Sequence, residues 1–206
     1  KKIYENISEA RKFLPDAQIE IITNGDVLNK KRLIKLFDAG LSTLLISVYD
    51  GPKEEKEFYN LCKEVGLRED QYVIRNRYMS EESSFGLNIS NRSGTLSNAE
   101  YKIPALKKSL NKKCNYPAYT FFIDYNGEVQ MCSHDWAKKY VLGNVNKQNI
   151  IDIWLNQKFQ LARKKLLIAD RNFSPCNKCD VSGELIGSKH ANEWKKINEK
   201  LVKKDS

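Results

Sequence analysis

Four cysteines constrain this chain more than any other feature. Cys114, Cys132, Cys176 and Cys179 follow one another with 17, 43 and 2 residues between them, the last pair as Cys-Asn-Lys-Cys. Four thiolates can close a tetrahedral site on one zinc ion, or take one iron each of a cubane iron–sulfur cluster. Spacing alone does not choose between those metals. A thioredoxin-like redox pair is a third use of a CxxC, but it needs a strand before the motif and a helix after it. Ser174-Pro175 before it and Asp180-Val181-Ser182-Gly183 after it read as loop. The fifth cysteine, Cys62, shares a helical apolar repeat with Phe58, Leu61 and Val65 and reads as a small core residue. An odd cysteine count in a Lys-rich chain, with no apolar stretch behind Lys1-Lys2-Ile3-Tyr4-Glu5, argues against a secreted disulfide framework and for a cytoplasmic location.

The first 80 residues predict the scaffold. Helical patterns over Lys1–Leu14, Lys30–Ala39 and Lys53–Val65 alternate with strand patterns over Gln18–Thr23, Ser42–Val48 and Tyr72–Arg75. Gly40 and Gly66 stop the second and third helices. The order αβαβαβ with short links implies a parallel sheet with right-handed crossovers. The apolar run Ser42–Val48 suits a strand buried on both faces. A sheet of three strands entered by a helix is small, so further strands are expected upstream, in a longer protein.

Residues 78–113 are polar and read as an irregular surface segment. Beyond Cys114 the pattern changes. Ala118–Asp124 and Glu128–Cys132 flank Tyr125-Asn126-Gly127, a strong hairpin signal. Asn149 is placed to cap a helix carrying Ile150, Ile153 and Trp154; Gln157–Ile168 and Glu184–Lys204 read as further helices. The hairpin brings Cys114 and Cys132 towards one edge, and two helices return the chain to the CxxC. Such a small module has little core of its own, and a bound metal or cluster would tie it together. Lys and Arg number 35 against 26 Asp and Glu, a net charge of +9. That permits a polyanionic partner, but basic and aromatic residues do not interleave as single-strand binders require. No nucleic-acid or membrane partner is expected.

These residues resemble a known family. Cys114-Asn115-Tyr116-Pro117, the hairpin Phe121–Cys132, Leu142-Gly143-Asn144-Val145, Ile150-Ile151-Asp152-Ile153-Trp154 and Cys176-Asn177-Lys178-Cys179 are similar to the SPASM or twitch domain of radical S-adenosylmethionine (SAM) enzymes. The likeness covers roughly residues 114–182. Residues 1–80 are similar to the second half of the radical SAM partial (β/α) barrel. The runs Thr23–Leu36 and Ser90–Leu96 look most like twitch-type dehydrogenases of aminocyclitols. The resemblance implies an α/β chain: barrel strands at 1–80, an irregular connector at 81–113, an α+β iron–sulfur domain with a β-hairpin at 114–182, and a basic helix at 183–206.

The resemblance also implies chemistry. Cys114, Cys132, Cys176 and Cys179 would bind one auxiliary 4Fe–4S cluster, since a domain binding two needs more cysteines. Thr23, Asn24, Gly25, Ser47, Arg75 and Asn76 would face SAM. Arg92, in a Gly-Ser-Asn loop, would contact a small-molecule substrate, because Arg offers several donors to hydroxyl or carboxylate groups. A plain surface Arg is the alternative. His134, two residues after Cys132, is either a polar loop residue, a substitute ligand or a donor beside one. The family's CxxxCxxC, which binds the SAM-cleaving 4Fe–4S cluster, does not occur in these 206 residues, and is expected upstream with the barrel's first strands. An electron donor such as flavodoxin or ferredoxin would reduce the whole protein. A peptide-modifying radical SAM enzyme and a zinc-binding interaction module built on the four cysteines are the other readings.

Overall fold

The computed structural model describes residues 2–78, 90–96 and 106–202, with backbone alone for 198–202. It is a mixed α/β protein with two small sheets, in two compact units of residues 1–89 and 90–206.

In the first unit α1 (Lys2–Phe13), β1 (Glu20–Thr23), α2 (Lys30–Asp38), β2 (Thr43–Val48), α3 (Pro52–Val65) and β3 (Tyr72–Asn76) alternate as the sequence pattern predicts. The strands lie in the order β1-β2-β3, all parallel. Every residue of the central β2 is buried, which is why Leu44-Leu45-Ile46 runs without a polar break. Asn29 caps α2 by accepting from the Arg32 amide at 3.0 Å. Ile7, Leu33, Leu36, Leu44, Ile46, Phe58 and Cys62 form the core. Cys62 is completely buried there, and burial pushes its thiol pKa up to about 11. The register sets Thr23 beside Ile46, Ser47 beside Arg75 and Val48 beside Asn76 at the carboxyl ends of the strands.

The second unit holds an antiparallel meander of β4 (Phe122–Ile123), β5 (Glu128–Gln130) and β6 (Val141–Asn144). The turn closes with Gly127 N–H donating to the Asp124 carbonyl at 2.9 Å and Asp124 N–H to Glu128 at 2.8 Å. Of its residues Gly127 alone has positive φ, at 83°. This is therefore a three-residue hairpin loop with glycine in the left-handed position. Two elements differ from the sequence reading. Residues 118–120 do not begin a strand, because Tyr116–Tyr119 is one helical turn, α4. Pro117 suits a first turn, and the Thr120 hydroxyl closes it on the Tyr116 carbonyl at 2.7 Å. The strand β6 has no counterpart in the sequence pattern, being four residues with a glycine.

Asn149 caps α5 (Ile150–Leu155) and Asn156 caps α6 (Gln157–Leu167), each accepting a backbone N–H at 2.8 Å. Their apolar faces join Val129, Met131 and Leu142 in a core of Ile153, Phe159, Ala162, Leu166 and Cys176. The basic helix α7 (Ser188–Val202) starts four residues later than the pattern suggests. It docks through Ala191, which is 3% exposed, and through Trp194, whose Nε1 donates to the Ala118 carbonyl at 3.1 Å. The helix end at Lys204, and residues 79–89 and 97–105 of the irregular segment, lie outside the described residues.

Candidate metal centre

Three pieces of chain deliver the four thiols. Cys114 stands just before α4, Cys132 just after β5, and Cys176 and Cys179 on the short 3-10 turn Cys176–Lys178 and its end. All four line one pocket, with Tyr116, Met131, His134, Leu166 and Arg171 among the other lining groups. All are free thiols. Burial, with the neighbouring sulfurs adding to it, pushes the Cys132 pKa up to about 12 and raises those of Cys114 and Cys176. The bare pocket therefore favours neutral thiols, and a metal group must displace their protons to bind. Among the described residues no three His, Cys, Asp or Glu gather closely enough to hold a single metal ion. A zinc site with Zn–S near 2.3 Å would bring its sulfurs to within about 3.8 Å of one another. Thiols spread round a cavity fit a group in which each takes a different iron.

Backbone contacts fix these pieces. Asn115 N–H donates to the Gly183 carbonyl at 2.8 Å, and Cys114 N–H to Leu166 at 3.2 Å. Gly183 has φ 76°, and a Cβ there would lie 2.5 Å from the Cys114 Sγ. Its lack of a side chain is what lets the chain pass over that thiol. After Cys132 the loop turns around Asp135, 1% exposed, whose carboxylate accepts from the amides of Lys139 at 3.0 Å and Tyr140 at 2.7 Å. Asn91, 2% exposed, anchors Ser90–Leu96 to the CxxC loop. Its amide donates to the Asp180 carboxylate at 2.9 Å, and its side chain to the Lys178 carbonyl at 2.6 Å.

That anchoring locates Arg92 in the same unit as the cysteines. Arg92 and Ser93 have φ of 48° and 54°, and Ser93 lines the thiol pocket. The Arg92 guanidinium lies over the Trp136 ring, 4.7 Å from its centroid, and its buried Nε has no hydrogen-bond partner. His134 also lines the pocket, its Nδ1 3.1 Å from the Ser90 hydroxyl and its ring edge-to-face with Tyr116 at 5.6 Å. Burial, then the nearby Arg92 charge, lowers its pKa. In the first unit Thr23, Ser47, Arg75 and Asn76 end adjacent parallel strands, with Asn24 and Gly25 just beyond β1. Ser47 is buried; Arg75 and Asn76 are exposed. Gly25 has a packing reason of its own, since a Cβ there would lie 2.2 Å from the Phe58 ring. Asn24 donates to Asp26 at 2.7 Å.

Two buried arginines escape a reading of the sequence alone. Arg171, 2% exposed, lines the thiol pocket. Nothing in Ala169-Asp170-Arg171-Asn172 sets it apart from a surface charge. Arg163, also 2% exposed, lies among the rings of Trp154, Phe159 and Trp194, at 3.9–4.1 Å from their centroids. Here a signal existed. Phe159, Ala162, Arg163 and Leu166 stand at i, i+3, i+4 and i+7, an arginine inside an apolar helical stripe.

The matches to known proteins fall on this unit and beyond it. Residues 114–180 match the SPASM family, an iron–sulfur cluster-binding domain. All four of the pocket's cysteines fall within that match. Over 169 residues the chain is 32% identical to the S-adenosyl-L-methionine-dependent 2-deoxy-scyllo-inosamine dehydrogenase of Niallia circulans, a match covering 82% of this chain and 62% of that protein. The chain thus spans less than two thirds of that relative's length. A crystal structure of BtrN in complex with AdoMet and 2-DOIA matches with a TM-score of 0.70 and 29% identity, over 88% of this chain and 67% of that one. BtrN in an open conformation matches in fold, with a TM-score of 0.60 and 24% identity over 88% and 65%. The likeness to the S-adenosyl-L-methionine-dependent dehydrogenase and to BtrN thus extends beyond residues 114–180. Among the described residues no helix is long and apolar enough to cross a membrane.

Proposed function

We propose that this chain is part of a radical SAM dehydrogenase in which Cys114, Cys132, Cys176 and Cys179 hold one auxiliary 4Fe–4S cluster, and that its substrate is a sugar- or aminocyclitol-like alcohol. One observation carries the reading: four free thiols from three separate segments line a single pocket inside the segment that matches the SPASM family. The activity of the Niallia circulans dehydrogenase, whose match covers 82% of this chain, supports the substrate class. Such a cluster, when bound, supplies a one-electron acceptor.

The residues divide the remaining work. Four cysteine ligands leave no open iron, which favours electron transfer over ligation of substrate. Met131 and Leu166 in the pocket wall keep water away. Arg92 offers a substrate hydroxyl donors that stay charged. Thr23, Asn24, Gly25, Ser47, Arg75 and Asn76 form a polar edge towards SAM, at the strand ends where parallel sheets take their ligands. With SAM and both clusters bound, their chemistry would take a hydrogen atom, an electron and a proton from an alcohol carbon, a two-electron oxidation. The SAM-cleaving cluster belongs to a CxxxCxxC that these residues lack, and flavodoxin or ferredoxin would serve as reductant.

The test uses a protein extended to include that motif. Arg92→Ala should lower product formation by one to two powers of ten, the loss of a charged hydrogen bond worth roughly 1.5–3 kcal/mol. 5′-Deoxyadenosine should still form, uncoupled from product. An unchanged ratio of product to 5′-deoxyadenosine together with unchanged substrate affinity would make Arg92 a structural residue. The 206-residue chain alone should form no 5′-deoxyadenosine under strong reductant.

A further inference from the structure

Arg171 is a buried charge with an unusual set of partners. Its Nε donates to the Lys112 carbonyl at 2.8 Å, Nη1 to Val181 at 2.7 Å, and Nη2 to Lys113 at 2.9 Å and Ser182 at 2.6 Å. Lys112 and Lys113 run directly into Cys114, and Val181 and Ser182 follow Cys179. One guanidinium therefore joins the two stretches of chain that bring in Cys114 and the CxxC pair. Four of its five N–H donors are used in doing so.

All four partners are neutral carbonyls. Among the described residues Arg171 enters no ion pair. A charge 2% exposed is costly unless an opposite charge stands nearby. The neighbours it shares the pocket with are the thiols: its field acts on both Cys114 and Cys176. Glu184 also acts on Cys114, but it is exposed and so screened by solvent. The missing counter-charge is supplied when the four thiols become thiolates around iron.

Building on the four-cysteine reading, we propose that Arg171 is the resident counter-charge of the cluster, raising its reduction potential while clamping Cys114 to the CxxC loop. Adding an electron makes an anionic site more negative, and a fixed cation in a low-dielectric wall favours that state. Arginine suits the task on two counts. It does not lose its proton, and its planar fork spans two segments where the single ammonium of lysine cannot.

The test loads the 206-residue chain and its Arg171→Gln and Arg171→Lys variants with iron and sulfide under anaerobic conditions. Three quantities are read: iron per chain, the tryptophan-fluorescence denaturation midpoint, and the cluster's midpoint potential by optical and EPR titration. Arg171→Gln should shift the one-electron equilibrium about tenfold or more towards the oxidised cluster, at least about 59 mV. Arg171→Lys should keep the wild-type potential within that margin but load less iron, having kept the charge and lost the clamp. If the Gln variant takes up no cluster while the Lys variant does so at wild-type potential, the counter-charge role stands. Wild-type potential in the Gln variant overturns it. So does a Lys variant that loads no cluster, or one whose potential falls by a decade or more, since Arg171 would then act by its geometry alone. Cys176→Ser separates this from the reading beneath it: full iron content in that variant would defeat the four-cysteine assignment whatever Arg171 does.

Discussion

Adding one methyl group at Gly183 should empty the cluster site. An alanine Cβ there would lie 2.5 Å from the Cys114 Sγ, 3.0 Å from its Cβ and 3.1 Å from its Cα. The last contact is with backbone, so a side-chain rotation of Cys114 cannot relieve it. Gly183 also has φ 76°, where a residue with a Cβ costs about 1–2 kcal/mol. Overpacking a buried site adds roughly 1–3 kcal/mol. The sum, about 2–5 kcal/mol, falls on the second unit, and the easiest relief is to push Cys114 out of place. All three tryptophans, Trp136, Trp154 and Trp194, lie in this unit, so urea denaturation followed by tryptophan fluorescence reports it selectively. Gly183→Ala should lower that midpoint and leave anaerobically loaded protein with little iron. Gly66→Ala is the control: φ is 77° there, and a Cβ would meet nothing within 4 Å. It should cost only the backbone strain, about 1–2 kcal/mol by circular dichroism, with iron loading intact. Wild-type iron in Gly183→Ala would refute the claim that this glycine shapes the site.

Arg163→Ala should lower the tryptophan-monitored stability by roughly 3–5 kcal/mol, since it removes two charged hydrogen bonds and the filling of an aromatic cage. Arg163→Lys should restore little of it, because lysine cannot stack; a loss below about 1 kcal/mol for the alanine variant would show that the caged guanidinium does not hold the fold together. The metal-free chain should lose stability as pH rises. Its buried thiols have pKa values raised above the ordinary 9.0, to about 12 for Cys132, so neutral thiols favour the fold below about pH 9 and that contribution fades towards about pH 12. Cluster-loaded protein, whose thiolates are bound to iron, should not show this decline in the same fluorescence titration.

Much of this was legible because it repeats at short range. The buried run Leu44-Leu45-Ile46 marked a central parallel strand, Asn126-Gly127 marked the hairpin, and Asn149 marked a helix start. The helical phase of Cys62 assigned it to a core. What escaped depends on contacts between distant residues. Arg171 meets carbonyls 58 and 59 positions before it and 10 and 11 after it, and no local pattern announces that. Asn91 looked like one polar residue in a polar loop, yet it bonds Lys178 and Asp180 across 87 and 89 positions. The strand expected from Ala118 starts late because Pro117 and the Thr120 hydroxyl make Tyr116–Tyr119 a helical turn.

The most direct test of the account is the iron content of the anaerobically loaded 206-residue chain beside its Cys62→Ala and Cys176→Ala variants. One 4Fe–4S cluster on four cysteines requires about four irons and four sulfides per chain, with the brown absorption of such a cluster. Cys62→Ala should match that value, and Cys176→Ala should fall far below it. A colourless protein holding one zinc, or full iron in Cys176→Ala, or iron lost in Cys62→Ala, would contradict it.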